Sequence, residues 1–190
     1  YPLSVIETIL IFMFAFNLDP SVITSCCGSV YNEGAEGLGG SLANASAGVS
    51  LSLFFIVVIL LLVNRLIFYR LDEGNKRLGN LLEFPLWIAF YTTAILVTIS
   101  FISTYVYEML SHKCLFCFIG AQYHYYGVFL YLFLFTATGA GMTGGLLEMI
   151  TQPATLVKKA RLLQKQMHVV SLWGMILFLV TGFWPFITYY

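Results

Sequence analysis

Charge is what this chain has least of. Only 9% of its 190 residues are Asp, Glu, Lys or Arg, where a soluble domain carries about 25%. Hydrophobic residues make up 59%, and the mean hydropathy is +0.87. Such a chain lives in lipid. Other absences narrow the chemistry. There is no Ser–His–Asp arrangement, no phosphate-cradling glycine loop and no paired catalytic carboxylates, so hydrolase and nucleotide chemistry have no footing. No basic aromatic surface suggests nucleic acid. Nine basic and nine acidic residues cancel, and a formal net charge of zero singles out no partner class.

What is present is a series of apolar runs. A spanning helix needs about 20 mostly apolar residues to cross ~30 Å of hydrocarbon. Five segments fit, at about Pro2–Asn17, Ala47–Leu71, Phe84–Leu110, Phe116–Glu148 and His168–Tyr189. The expected fold is therefore all-α: one polytopic membrane bundle of five transmembrane helices, with no room for a soluble domain. The first run is short. It starts at Tyr1 with no initiator Met, as in a sequence numbered from inside a longer chain or after trimming. A signal sequence is the alternative, but no small-residue cleavage pattern precedes the loop.

The basic residues orient the bundle. Eight of the nine Lys and Arg lie in or beside two connections, Arg65 to Arg77 and Lys158 to Lys165. Connections rich in Lys and Arg stay in the cytoplasm. That reading puts the amino end inside, the carboxyl end outside, and the connections at 18–46 and 111–115 on the external face. Only Lys113 breaks the asymmetry.

Local signals refine the segments. Asp19-Pro20 ends the first helix, and Gly34, Gly37, Gly39 and Gly40 make an irregular outer loop. Pro85 falls in the expected first turn of the third span, where its missing N–H costs nothing. The fourth run exceeds the hydrocarbon thickness as a straight helix, so it tilts, protrudes or bends near its 139–145 glycine cluster. Gly141 and Gly145 form a small-xxx-small step for close helix approach, within the bundle or against a partner subunit. The connection Thr151–Met167 reads as a basic amphipathic helix, with Lys158, Lys159, Arg161 and Lys165 meeting anionic headgroups.

The four cysteines all fall on the external side in this orientation. Cys114-Leu115-Phe116-Cys117 is a C-x-x-C at the expected mouth of the fourth span. Spaced i and i+3, its sulfurs share one face of a helical turn. The helix amino end and Lys113 both favour thiolate, the nucleophile of disulfide exchange. Cys26-Cys27 lies in the first outer loop, and adjacent cysteines rarely bond to each other without strain. Three uses stay open: disulfide exchange, two structural disulfides pinning the loop, or metal ligation. Zinc is the least favoured, because its sites usually hold a C-x-x-C on both arms. No His follows Cys117, so the c-type haem attachment pattern is absent.

A loop cysteine pair between spans one and two, with a C-x-x-C opening span four on the same face, resembles the vitamin K epoxide reductase family and the bacterial quinone-coupled disulfide oxidases. The resemblance implies a thiol–disulfide oxidoreductase of the bacterial inner membrane. In it, Cys26 and Cys27 would take electrons from a thioredoxin-like partner. Cys114 and Cys117 would pass them to a bound quinone.

The remaining candidates are ionisable groups within the spans. His124, beside Tyr123, is expected two turns below Cys117, roughly 10 Å inward at 1.5 Å per residue. It would hydrogen-bond a quinone carbonyl, ligate a haem, or be satisfied by a neighbouring Tyr or a backbone carbonyl. His168 begins the fifth span near the opposite face, so a haem held by both histidines is disfavoured and one shared with another subunit stays open. His112 sits beside the C-x-x-C, and Glu7 lies in the first span. The rival to the redox reading is a non-catalytic subunit of a larger respiratory or electron-transfer complex, with structural cysteines. Seventeen Phe, twelve Tyr and the glycine step favour it.

Overall fold

The computed structural model describes residues 45–70, 73–108, 115–150 and 154–189. The expected first span, its loop with Cys26 and Cys27, and the His112–Cys114 segment lie outside the described residues. Within them the chain is all-helical. Helix α1 is Ala47–Arg70, α2 is Glu73–Val97, α3 is Ser103–Tyr107, α4 is Tyr126–Ile150 and α5 is Ala154–Tyr189. A π-helical turn, Thr98–Ile102, joins α2 to α3 without a break. Four stretches are long and apolar enough to cross a membrane: Ala47–Ile67, Leu81–Tyr107, Tyr126–Leu147 and Ala160–Thr188. The chain therefore reads as an integral membrane protein.

Three boundaries differ from expectation. Helix α2 starts at Glu73, so Pro85 is well inside it. Proline removes its own N–H and crowds the carbonyl four residues earlier, and cross-links to α1 fall on the turns just before it: Asn64 Nδ2 donates to the Gly79 carbonyl at 3.1 Å, and Arg65 pairs with Glu83 at 3.0 Å. Helix α4 starts at Tyr126 rather than near Phe116. Two 3-10 turns, Cys117–Ile119 and Ala121–Tyr123, occupy the intervening apolar stretch. The basic connection and the last span are one helix of 36 residues, roughly 54 Å at 1.5 Å per residue.

The helices form an antiparallel bundle in which α2 and α4 are the more enclosed. Half of the α2–α3 apolar stretch is buried (50%) and 44% of α4, against 28% for α1 and for α5. The two outer helices accordingly turn Leu, Ile, Val and Trp outward, with Trp173 at 61% and Ile187 at 65% exposure. Lipid is as apolar as leucine, so close packing must hold the bundle rather than escape from water. Small residues supply it. Gly174 of α5 meets the Ala137 backbone of α4, where a Cβ would come within 2.8 Å. Gly141 of α4 receives the Trp87 ring of α2, which any Cβ there would overlap. The glycine step is thus occupied, at Gly141, by packing inside the bundle. Between α1 and α5 the fill is aromatic: Phe54 lies 5.6 Å from Phe90 and 6.0 Å from Phe178, all three fully buried.

Candidate functional site

Two groups of chemistry-bearing residues stand at opposite ends of the bundle. The first was not legible as a site. Arg65 near the end of α1, Glu83 near the start of the apolar stretch of α2 and His168 of α5 converge on one point. Arg65 Nε donates to Glu83 Oε1 at 3.0 Å, and Nη2 reaches Oε2 at 3.4 Å. The same guanidinium donates to the His168 carbonyl at 2.5 Å and to Ser171 Oγ at 2.7 Å. His168 Nδ1 is 3.0 Å from Glu83 Oε2. The Glu83 side chain is only 4% exposed, so an unpaired carboxylate here would be very costly. Arg65 also stands over the Trp87 ring, 5.9 Å from its centroid. Gln164 Nε2 donates to the Gly144 carbonyl at 3.0 Å, extending the polar layer to α4.

The sequence showed these residues only as flanking charge, with Arg65 and Glu83 18 positions apart and His168 another 85 along. One signal was available. Asn64-Arg65 interrupts an apolar run before it ends, and a charge inside a span needs a partner.

The second group is at the far end, around the turns that precede α4. Phe118, fully buried, pins the first turn: its ring stacks on Tyr107 at 4.7 Å, and its backbone fills the space a side chain at Gly127 would need. Tyr131 Oη donates to the Leu115 carbonyl at 2.7 Å and ties the approach to this turn down to α4. Cys117 begins the turn and is half-buried. It does not lie in the first turn of an α-helix, so the expected help from a helix amino end is not in place at its sulfur.

His124 is a second correction. It is exposed, in a left-handed turn just before α4, rather than buried two turns inside a span. Glu108, His124 and Tyr125 have φ of 54°, 53° and 56°, and they are the positive-φ non-glycine residues among those described. All three cluster at this end. Backbone held in that region costs about 1–3 kcal/mol per residue and collects at functional sites.

Between them lies a cleft of about 670 Å³. Tyr105, Tyr107, Tyr123, Tyr126 and Trp184 supply its aromatic walls, with Glu108 and His124 as ionisable groups. Tyr123 and His124, the residues expected to contact a cofactor, thus line one cleft at the end of the bundle that carries Cys117. Pro185 forms part of the wall. Its missing N–H leaves the Thr181 carbonyl without a helical donor, and Tyr126 Oη donates to that carbonyl instead. Cys26, Cys27 and Cys114 lie outside the described residues. Among the described residues no cluster of three His, Cys, Asp or Glu could hold a metal ion.

No family model matches this chain, and neither a curated protein nor a solved structure is detectably similar to it.

Proposed function

We propose that this protein is a membrane thiol–disulfide oxidoreductase that passes electrons between external cysteines and a membrane quinone. The observation that carries the reading is the placement of Cys117 in the 3-10 turn just before the one that brings Tyr123 and His124 to the aromatic cleft. A planar quinone ring suits aromatic walls. His124 supplies a polar group that hydrogen-bonds a quinone carbonyl. The reaction balances within the dithiol–quinone pair: two thiols, of Cys114 and Cys117, become one disulfide, and two electrons and two protons convert quinone to quinol. Cys26 and Cys27 take electrons from a thioredoxin-like partner by thiol–disulfide exchange and hand them on to Cys114 and Cys117. On this reading the basic connections stay in the cytoplasm and this end faces outward from a bacterial inner membrane.

The test is dithiol-dependent quinone reduction by the purified protein in lipid nanodiscs. Cys117→Ser and Cys114→Ser each abolish it on this reading; undiminished reduction in either contradicts it.

A second reading has its own support. Helices α1 and α5 keep most of their apolar surface outside the bundle. On this reading the chain is a non-catalytic transmembrane subunit of a larger electron-transfer complex, its cysteines structural and a haem shared with a neighbouring subunit. Co-purification with cytochromes under mild detergent, and no quinone reduction by the isolated chain, would favour it.

A further inference from the structure

The thiol reading makes no use of the Arg65, Glu83 and His168 cluster, and the hydrogen positions within it can be worked out by counting. His168 Nδ1 lies 3.0 Å from Glu83 Oε2, an acceptor, and 3.1 Å from Arg65 Nη2, a donor. One nitrogen cannot donate to the first and accept from the second at once. Arg65 decides between them. Its Nη2 bears two hydrogens, directed to Ser171 Oγ at 2.7 Å and Glu83 Oε2 at 3.4 Å. Its Nη1 and Nε are engaged with the His168 carbonyl and Glu83 Oε1. No hydrogen of Nη2 remains for the imidazole, so Nδ1 carries a hydrogen and donates it to Glu83. In the neutral ring the lone pair then sits on Nε2.

The surroundings leave that nitrogen available. The ring lies against Gly144 of α4, where a Cβ would come within 3.0 Å of Cε1, so no α4 side chain covers it at that position. The His168 side chain is 23% exposed, and among the described residues its ring partners, Glu83 and Arg65, both meet Nδ1.

We propose that Glu83 and His168 form a carboxylate–imidazole dyad whose Nε2 is a proton-binding site at the charged end of the bundle. The carboxylate fixes the tautomer and balances the imidazolium that forms, as buried carboxylates do for other working imidazoles. A hydronium ion gives its proton to Nε2 and leaves as water. Among the described residues, the groups facing the ring are Arg65 from α1, Glu83 from α2 and the Gly144 backbone from α4. On its own helix, Lys165 and Arg161 lie one and two turns earlier, both exposed. Arg65 and Glu83 cancel, so proton uptake takes the triad from zero to +1.

The test is 15N NMR of histidine side chains on the full chain in nanodiscs. The chain has three histidines, so His112→Gln with His124→Gln leaves His168 as the one observed. The expected neutral form has hydrogen on Nδ1 and none on Nε2, and acidification moves the Nε2 resonance while Nδ1 stays protonated. Glu83→Gln is expected to reverse the tautomer, because its amide oxygen faces Arg65 and its amide N–H faces Nδ1. A neutral ring with hydrogen on Nε2, or an imidazolium at every pH, overturns the proposal. If Glu83→Gln fails to fold, the titration with Glu83 intact decides alone. No cysteine takes part, so this result and that of the quinone assay are independent.

Discussion

The two ends of the bundle are built from opposite materials. At one, three charged or ionisable side chains from three helices close on one another, and the polar atoms of Arg65 and Glu83 meet partners inside the protein. At the other, stacked rings hold two short turns, three residues sit in left-handed backbone, and a cleft stays open. A closed network gives rigidity and register. An open aromatic cleft with ionisable groups at its wall gives a place for a ligand. The difference sets paired charges at one end of the bundle and an open, aromatic-lined cleft at the other.

That contrast can be broken in stages. The largest effect is expected from Glu83→Leu, which strands Arg65 without its counter-charge. Breaking one member of a buried pair costs about 3–5 kcal/mol, measurable by unfolding in bicelles. Replacing Arg65, Glu83 and His168 together by apolar residues of similar volume is expected to be far milder, since no charge is left uncompensated. Next comes Phe118→Ala at the aromatic end. Loss of a fully buried ring costs about 3 kcal/mol. It also unpins the turn, so alkylation of Cys117 is expected to speed up severalfold while the charged end keeps its protection from hydrogen exchange.

Gly141→Leu forces the Trp87 ring out of its seat, at a cost of about 1–3 kcal/mol from overpacking. The smallest effect is Tyr126→Phe. It leaves the Thr181 carbonyl beside Pro185 without its donor and costs about 1 kcal/mol, near the usual worth of such a bond. Its readout is a weaker hold of the cleft on ligand rather than a loss of fold.

Apolar composition made the membrane and four of its helices legible. Their ends were harder, for reasons visible in particular residues. An apolar run reports lipid, not helix: Phe116 to Tyr125 is apolar enough to extend α4, yet Gly120 and the left-handed His124 and Tyr125 delay its start. Proline suggested a beginning at Pro85, but α2 runs through it despite the lost N–H and the crowding of the carbonyl four residues earlier. The polarity of Lys158 to Lys165 suggested a separate segment, but no proline or glycine lies between Ala154 and Gly174 to stop the helix. Tyr123 and His124 line one cleft, and His124 is exposed rather than two turns inside a span because the helix begins after it. The Arg65, Glu83 and His168 cluster was hidden by distance along the chain. Positive-residue counting treats Arg65 as a topological flag, and only the packing of α1 against α2 and α5 turns it into a clamp.

The most direct test of the central claim is quinone reduction by the purified full chain in nanodiscs, with a dithiol as donor. Quinol formation that is stoichiometric with disulfide, lost in Cys117→Ser and weakened in His124→Ala, is the predicted result. A chain that reduces no quinone, or that does so equally well without Cys117, would contradict the account and leave the aromatic cleft to another ligand.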